Sequence, residues 1–287
     1  MSAKTPNPNH SQKPSKPRSK QTGPAAPMTP ESQLPEKLRE LRLPMFRQHF
    51  QERAQRAQAE SLSHTEYLAE LTELECQSRR EGRIARMMHD SHLPSSKRWD
   101  NFDWNRLPLQ VTRQLESLRD GSFLDRRENL LLFGLPGSGK SHCLSALGEQ
   151  LVLRGRSMLF TTCSMLVQQL LVAKRDLRLP SQIKKLSRFD GLIIDDLGYV
   201  QQSREEMEVL FTLLAERYER GSVLLTSNLA FSKWEQIFKD AMTTAAAIDR
   251  LVHHSVILEL NVPSYRLETA KASQKTPSSQ SAKTPPA

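Results

Sequence analysis

The stretch FGLPGSGKSH, from Phe133 to His142, has the residue spacing of a phosphate-binding loop and decides the fold of this 287-residue chain. Gly134, Gly139, Lys140 and Ser141 satisfy the pattern G-x-x-x-x-G-K-S. The glycines let the backbone curl so that successive N–H groups point towards phosphate oxygens. A helix that starts at the loop adds the positive end of its dipole. The stretch therefore predicts a strand, a nucleotide-binding loop and a helix, in that order.

Each residue type in the loop has a distinct expected role towards a bound nucleotide. Lys140 is expected to reach the β- and γ-phosphates, and the Ser141 hydroxyl is expected to hold Mg²⁺. ATP and Mg²⁺ are therefore the predicted cofactors. The residues expected to surround the phosphates are Gly134, Leu135, Pro136, Gly137, Ser138, Gly139, Lys140, Ser141 and His142.

The second half of such a site is an acidic residue at the end of a neighbouring strand. The run GLIIDD ends in Asp195, expected to hold Mg²⁺ through its water shell, and Asp196, expected to orient or activate the attacking water. A further apolar run, VLLTSN, ends in Asn228. Ligands of parallel sheets sit at the carboxyl ends of the strands, so Asn228 is placed to contact the γ-phosphate or the water. A turn residue or a helix N-cap explains Asn228 equally well from the pattern alone.

Short apolar runs alternate with helical segments from Asn129 to Leu260, which predicts an α/β fold with a parallel sheet covered by helices on both faces. The sequence S-x-x-E predicts helix starts at Ser203 and Ser232. Gly155 and Gly221 are expected to end two helices. The predicted strands are ENLLLF, SMLFTT, GLIID, SVLLTS and VILEL.

Apolar residues continue at helical spacing upstream, from about Leu34 to Asp90. Pro44 is expected to open a second helix, and the capping box SHTE, which starts at Ser63, is expected to open a long third one. We predict a disordered basic tail (1–32), a small helical domain for DNA or partner binding (33–92), a linker (93–108), a nucleotide-binding ATPase domain (109–267) and a second disordered tail (268–287).

The net charge of +9 is concentrated in the tails, since residues 1–30 carry five basic residues and no acidic one. Such tails contain too few large apolar residues to fold, and they serve either as solvated tails or as basic arms for nucleic acid. In the linker, Trp99, Phe102 and Trp104 predict packing between domains, with a contribution to an adenine pocket as the second interpretation.

Several classes of protein are excluded by what the sequence does not contain. No apolar run approaches the 18 or so residues that cross a bilayer, and the N-terminus has no apolar segment of a secretory signal. Three scattered cysteines favour buried thiols in a reducing cytoplasm over disulfides or zinc. His253 and His254 are adjacent with no evident carboxylate partner, so we expect no metal site beyond Mg²⁺.

A row of arginines on the long third helix suggests contacts with nucleic acid. Arg79, Arg83 and Arg86 share one helix face, and such a face suits phosphate contacts that carry no sequence information. An ordinary solvated helix face is the alternative. The predicted DNA-binding residues are Arg79, Arg80, Arg83, Arg86, Lys97 and Arg98.

The chain resembles the IstB-like ATP-binding proteins, which are AAA+ transposition helpers encoded beside a transposase in bacterial insertion sequences. The resemblance runs from about Leu34 to Leu267, in order and with similar spacing. It rests on LLLFGLPGSGKSH, GLIIDDLGYV, AERYERGSVLLTSNLAFSKWEQIF, AAAIDRLVHH and the closing SYR.

The resemblance implies roles for three further residues. Asn228 matches the sensor-1 position, Arg250 the arginine finger and Arg266 the sensor-2 arginine that contacts the nucleotide. Without the family, pairing of Arg250 with Asp249 or Asp240 is the simpler interpretation. A finger supplied by a neighbouring subunit stabilises the transferring phosphoryl group. Asp196 stands where many AAA+ ATPases have Glu, which predicts slow hydrolysis.

The implied function is ATP-driven assembly into a homo-oligomer on double-stranded DNA, with little sequence preference, and presentation of that DNA to a partner transposase. A DnaC-like loader of a replicative helicase is the alternative within the same class. A small-molecule kinase with the same phosphate loop is the alternative outside it.

Overall fold

The protein is described here by a computed structural model that covers residues 30–198, 203–238 and 240–268. The chain divides into two compact units, Met1–Ser78 and Arg79–Ala287. Most of both predicted tails lies outside the described residues, so their disorder stays a prediction.

The described part of the first unit is helical. The predicted capping box is confirmed: the Ser63 hydroxyl accepts the Glu66 N–H at 3.2 Å, and the Glu66 carboxylate accepts the Ser63 N–H at 2.8 Å. The first helix begins earlier than expected, within the segment assigned to the tail, because proline suits the first turn of a helix. The helices are α1 (Pro30–Glu40), α2 (Pro44–Ala59) and α3 (His64–Asp90), of which α3 continues into the second unit.

The division between the units falls within α3, after Ser78, whereas the sequence placed the domain boundary at residue 92. The reason is packing within the second unit. Met87 and Met88 pack against one of its apolar clusters. The Ser91 carbonyl accepts the Phe160 N–H at 2.7 Å, which ties the end of α3 to the sheet.

A five-stranded parallel sheet organises the second unit, with the strand order β2-β3-β4-β1-β5. All five predicted strands are confirmed. The phosphate-binding loop follows an interior strand, β1, which pairs with β4 on one side and with the edge strand β5 on the other. The strands are β1 (Asn129–Gly134), β2 (Met158–Thr162), β3 (Gly191–Leu197), β4 (Ser222–Ser227) and β5 (Ser255–Leu260).

Helices cover both faces of this sheet. Leu131 of β1 belongs to one buried apolar cluster, and its neighbours Leu130 and Leu132 belong to another, because successive side chains of a strand point to opposite faces. The helices are α4 (Leu109–Ser117), α5 (Ser122–Asp125), α6 (Lys140–Leu153), α7 (Cys163–Arg175), α8 (Leu179–Leu186), α9 (Arg204–Arg217), α10 (Glu235–Phe238) and α11 (Ala241–Val252).

The predicted helix ends hold in part. Ser203 and Glu206 form the expected capping box of α9. Ser232 does not start a helix, because it lies inside a 3₁₀ turn, Phe231–Lys233, ahead of the short α10. Gly155 takes the left-handed conformation after α6, with φ 85°.

Gly221 does not end α9 in the expected way, because Glu219 takes the left-handed position with φ 57°. A Cβ on Gly221 would lie 2.7 Å from Nη2 of Arg217, the last residue of α9. Glycine is therefore needed there to make room for that buried guanidinium.

In the part of the chain that the structure describes, no helix is both long and apolar enough to span a membrane. Cys143 and Cys163 are buried, as expected, whereas Cys76 is exposed. Burial raises the pKa of the Cys143 thiol to about 12, so it is an inert core residue.

Candidate nucleotide-binding site

The loop between β1 and α6 is closely covered by two other segments of the second unit. A Cβ on Gly137 would lie 2.1 Å from the Ser264 hydroxyl, and one on Gly139 would lie 2.9 Å from the Phe102 ring. Both glycines have positive φ, 82° and 97°. The Gly137 carbonyl also accepts the Tyr265 N–H at 3.0 Å. The glycines thus give the loop its curvature and let its neighbours approach it.

Lys140 is the first residue of α6 and is buried. Its ammonium donates to the carbonyls of Gly134 at 2.7 Å and Leu135 at 2.9 Å. Burial lowers the pKa of Lys140, while the nearby carboxylates of Asp196 and Asp195 oppose that shift. The positive charge is therefore held at the mouth of the loop, close to two negative charges.

The two acidic residues at the end of β3 differ in their surroundings. Asp195 is buried, and its carboxylate accepts the Thr226 hydroxyl at 2.6 Å. Asp196 has the left-handed φ of 62° and lies on the wall of a cavity. Burial, and then the charge of Asp195, raise the pKa of the Asp196 carboxyl. Asp195 is thus a hydrogen-bonded carboxylate, whereas the Asp196 carboxyl is suited to exchange a proton.

Thr226, on the neighbouring strand β4, holds this pair of acids in place. Its hydroxyl donates to Asp195 and accepts the Asp196 N–H at 2.8 Å. The β3–β4 register is shifted between Ile194 and Leu197, so the two acids occupy an irregularity of the sheet. Such irregularities re-aim side chains, and here the irregularity directs Asp196 towards the phosphate-binding loop.

A cavity of about 570 Å³ lies above these groups, within the range of roughly 300–1,000 Å³ that small-molecule sites occupy. It brings together most of the predicted nucleotide-binding residues with Asp196, Asn228 and Arg266. Leu135 and Gly134 do not line it. The predicted residues on its wall are Pro136, Gly137, Ser138, Gly139, Lys140, Ser141, His142, Asp196, Asn228 and Arg266.

Two polar atoms of the cavity residues fit a phosphate-bearing ligand and its water, because the Ser138 hydroxyl can donate to a phosphate oxygen and Asn228 Oδ1 can accept from a water. Asn228 Oδ1 and Ser138 Oγ are buried and have no hydrogen-bond partner within the described residues. Buried polar atoms of this kind are rare unless a ligand or water completes them. Together with Lys140 and the loop amides, they provide the donors and acceptors that a triphosphate and its associated water require.

The segment before β1 forms part of the cavity wall, which the sequence suggested only as a second interpretation of its aromatic residues. Phe102 packs edge-on against His142, with ring centroids 5.0 Å apart, and Trp99 is buried in the core of the second unit. Arg106 stacks on Tyr265 at 4.9 Å and pairs with Glu268 at 2.8 Å. Of the three aromatic residues, only Phe102 lines the cavity, together with Arg106, whereas Trp99 and Trp104 pack in the core of the second unit.

Arg250 lies away from this cavity. Its carbonyl and that of Leu251 accept hydrogen bonds from the Asn129 side chain, which is at the beginning of β1, whereas the phosphate loop follows the end of β1. Its guanidinium lies 4.9 Å from the Phe211 ring and donates to the Ala246 carbonyl at 2.8 Å. Among the described residues it forms no ion pair, so pairing with Asp249 or Asp240 is not found. One chain therefore does not bring Arg250 to its own nucleotide.

The predicted DNA-binding residues fall into two places. Four of them, Arg79, Arg80, Arg83 and Arg86, are exposed on the C-terminal half of α3, where Arg83 also donates to the Gly155 carbonyl at 3.3 Å. Lys97 instead lines the nucleotide cavity, and Arg98 pairs with Glu149 of α6 at 2.8 Å. The structure thus separates Lys97 and Arg98 from the arginine row.

The model of the IstB-like ATP binding protein family matches residues 36–273 of this chain. The chain belongs to that family. The matched range covers all the cavity residues named above and Arg250.

Curated relatives of this IstB-like chain come from insertion sequences of several bacteria. An insertion-sequence ATP-binding protein of Sinorhizobium fredii is 41% identical over 246 residues, which are 85% of this chain and 83% of the relative. The ATP-binding protein of insertion sequence IS21 from Pseudomonas aeruginosa is 35% identical, over 80% of this chain and 87% of the relative. This chain is therefore similar over most of its length to ATP-binding proteins of insertion sequences.

A solved structure confirms the AAA+ fold of this IstB-like chain. AMPPCP-bound DnaA from Aquifex aeolicus superposes with a TM-score of 0.50 and 16% identity, covering 67% of this chain and 58% of DnaA. At that identity the likeness concerns the fold alone. The predicted fold and the predicted family are both confirmed.

Proposed function

We propose that this protein is an ATPase that assembles on double-stranded DNA and helps a partner transposase during transposition. One observation carries the proposal: the nucleotide cavity and Arg250 lie at opposite ends of β1, so a site that combines the two requires two chains. ATP would therefore act at the contact between subunits and control assembly.

Within the cavity, the residues divide the work of binding and hydrolysis. Lys140 and the loop amides hold the phosphates, and Ser141 and Asp195 would hold Mg²⁺, which neutralises charge on the phosphate oxygens. Asp196 orients the attacking water and accepts its proton, and Asn228 holds that water from the other side. The burial of Lys140 and Asp195, the hydrogen bond to Asp195 and the unpaired Asn228 Oδ1 support these roles.

Arg250 of a neighbouring chain would complete the site. A positively charged guanidinium stabilises the charge that develops on the transferring phosphoryl group, and such a residue typically accelerates hydrolysis by about 10³ to 10⁵. The exposed arginine row of α3 (Arg79, Arg80, Arg83 and Arg86) supplies phosphate contacts to DNA without base recognition. Lys97 is assigned to the nucleotide and no longer to DNA.

The relatives support the transposition context, because their names place them in insertion sequences. A transposase is the natural partner of such an ATP-binding protein. Assembly on target DNA followed by hydrolysis would time the release of that DNA to the transposase.

Particle mass in solution tests the proposal directly. The full chain is measured with and without a non-hydrolysable ATP analogue, and with and without random-sequence duplex DNA. Large particles are expected only when both are present. A monomer under all four conditions contradicts the proposal.

The arginine row is tested with the triple variant Arg79→Ala, Arg83→Ala and Arg86→Ala. Duplex binding is expected to weaken for all sequences alike and to lose part of its salt dependence. A variant at Arg178, an exposed arginine that pairs with Asp176, serves as the control. Unchanged binding by the triple variant would place the DNA site elsewhere.

A further inference from the structure

Three potential metal ligands come together at the amino-terminal edge of the sheet, away from the nucleotide cavity. Glu219 lies in the turn between α9 and β4, and His253 and His254 lie in the turn between α11 and β5. One ligand atom from each lies within 4.8 Å of the others, and all three side chains are exposed. The structure thus supplies the carboxylate partner of the two histidines that the sequence did not reveal.

The two turns are fixed to one another by Asn129, which begins the strand between them. Its side-chain carbonyl accepts the Val223 N–H of β4 at 2.8 Å, and its amide donates to the Leu251 carbonyl of α11 at 3.0 Å. Its backbone N–H donates to the His254 carbonyl at 2.7 Å. Because Asn129 is buried, these bonds hold the ligand-bearing turns at a constant separation.

The orientation of individual ligands is set as well. The Tyr218 hydroxyl lies 2.9 Å from His253 Nδ1, so His253 would bind an ion through its other ring nitrogen, Nε2. Glu219 has the left-handed φ of 57°, an uncommon conformation for a residue other than glycine. Hydrogen bonds of this kind to the second ring nitrogen are a regular feature of metal-binding histidines.

Nearby arginines are already engaged with other groups. Arg126 pairs with Glu128 at 2.8 Å, and the guanidinium of Arg250 donates to a helix carbonyl. Arg217 and Arg127 also donate to carbonyls, at 2.8 Å to Ser222 and 3.4 Å to Leu124. Their positive charge still opposes a dication, so the affinity should be lower than that of a closed four-ligand structural site.

We propose that Glu219, His253 and His254 bind one divalent transition-metal ion, and that Zn²⁺ fits these ligands best. Two imidazoles and one carboxylate are a known three-ligand set for zinc, with a fourth position left open. Mg²⁺ and Ca²⁺ prefer oxygen ligands alone and are excluded. The inference does not depend on the proposed function.

A bound ion would connect the turn before β4 to the turn that follows α11. Since α11 carries Arg250, the ion would restrain the end of the helix that presents this arginine. The open coordination position would face outward, where water or a side chain of another subunit can occupy it.

The test is a titration of the untagged full-length chain with ZnCl₂ by calorimetry, repeated with CoCl₂ by visible absorption. The wild-type chain is expected to bind one more ion than Glu219→Gln or His254→Ala. Tyr218→Phe is expected to bind that ion about 10 to 100 times more weakly, because only the orienting hydroxyl is lost. Thermal unfolding without metal checks that each variant is folded.

His89→Ala is the matched control, because His89 is also an exposed histidine beside a carboxylate, that of Asp90. Its ion count is expected to equal that of the wild type. Equal counts and affinities in the wild type, Glu219→Gln and His254→Ala would overturn the proposal. A loss in His89→Ala as large as in His254→Ala would assign the binding to surface histidines in general, and would overturn it too.

Discussion

Thr226 connects the two acidic residues of the nucleotide site, although neither its type nor its position marks it in the sequence. Its single hydroxyl donates to the buried Asp195 carboxylate and accepts the N–H of Asp196. A residue that satisfies both neighbours at once fixes their relative orientation. The consequence can be tested by removing the hydroxyl alone.

Thr226→Val should destabilise the fold and slow ATP hydrolysis. The change leaves a buried carboxylate and an amide without their partner, and a hydrogen bond to a charged group is worth about 1.5–3 kcal/mol. Denaturant unfolding measures the loss. Thr212→Val is the control, since the Thr212 hydroxyl bonds only to a helix carbonyl at the surface. Equal stability of the two variants would show that Thr226 has no special role.

Asp196 carries a cost to stability that its proposed role in hydrolysis would explain. Its pKa is raised in the folded protein, by burial and by Asp195, so the folded state binds a proton at this carboxyl more tightly than the unfolded state does. Protonation of Asp196 therefore stabilises the folded state as pH falls, and the charged carboxylate destabilises it at neutral pH. Asn tolerates the left-handed conformation at this position.

Asp196→Asn should therefore raise the midpoint of thermal unfolding at pH 7 and abolish hydrolysis while nucleotide binding is retained. The gain should shrink as pH falls through the raised pKa of the folded carboxyl, and it should be nearly lost by about pH 4, where an ordinary aspartate is also becoming protonated. Calorimetric scans at pH 7 and pH 4 measure both effects. A variant that is less stable at pH 7, or that still hydrolyses ATP, would contradict this account.

At the scale of elements, Arg217 joins the ends of a helix and two strands. Its guanidinium donates to the carbonyls of Leu186, at the end of α8, and Ser222, at the beginning of β4. Two more bonds reach the chain just before β3. Burial lowers the pKa of Arg217 to about 10. One side chain thus donates hydrogen bonds to several backbone carbonyls at the ends of helices and strands.

Gly221→Ala should destabilise the second unit by about 1–3 kcal/mol, the usual cost of overpacking. The new methyl group would press on a guanidinium held by its hydrogen bonds, and backbone strain does not contribute. Gly82→Ala is the control with the opposite expected sign. Nothing lies within 4 Å of a Cβ at Gly82, so alanine should stabilise α3 by about 0.5–1 kcal/mol. Denaturant midpoints that move in the same direction would refute this explanation.

Across the whole molecule, the nucleotide cavity and Arg250 are separated by the length of β1. Arg250→Ala should leave ATP binding unchanged and reduce the rate of hydrolysis by a factor of about 10³ or more. The reason is that the arginine stabilises only the charge that develops on the phosphoryl group in the transition state. Lys140→Ala should lose the nucleotide but keep Arg250. An equimolar mixture of these two inactive variants is expected to regain part of the activity.

Steady-state hydrolysis of the mixture and of each variant alone measures this complementation. A second mixture combines Arg250→Ala with Asp196→Asn. The Asp196→Asn chain retains Arg250, so activity is again expected. A mixture as inactive as its parts would show that Arg250 does not act on a neighbouring nucleotide.

Sequence reasoning succeeded where the function is encoded in neighbouring residues. The phosphate loop, the strands and the capping boxes at Ser63 and Ser203 are local patterns, and they were predicted correctly. Thr226 was missed because its role depends on the register between β3 and β4. The grouping of Glu219 with His253 depends on two turns that are distant in the chain. The glycine at 221 was misread because its reason is a side chain packed against it, not a backbone conformation.

The placement of the cavity and Arg250 also restricts the symmetry of any assembly. Two chains related by a twofold axis present identical surfaces to each other, whereas a cavity paired with an arginine from the opposite edge is a head-to-tail contact. Repeated head-to-tail contacts produce a ring or an open helical filament. An open array always keeps one cavity without an arginine at one end, and one unused arginine at the other. Turnover per chain should therefore rise with array length and reach its limit only when the array closes or becomes long.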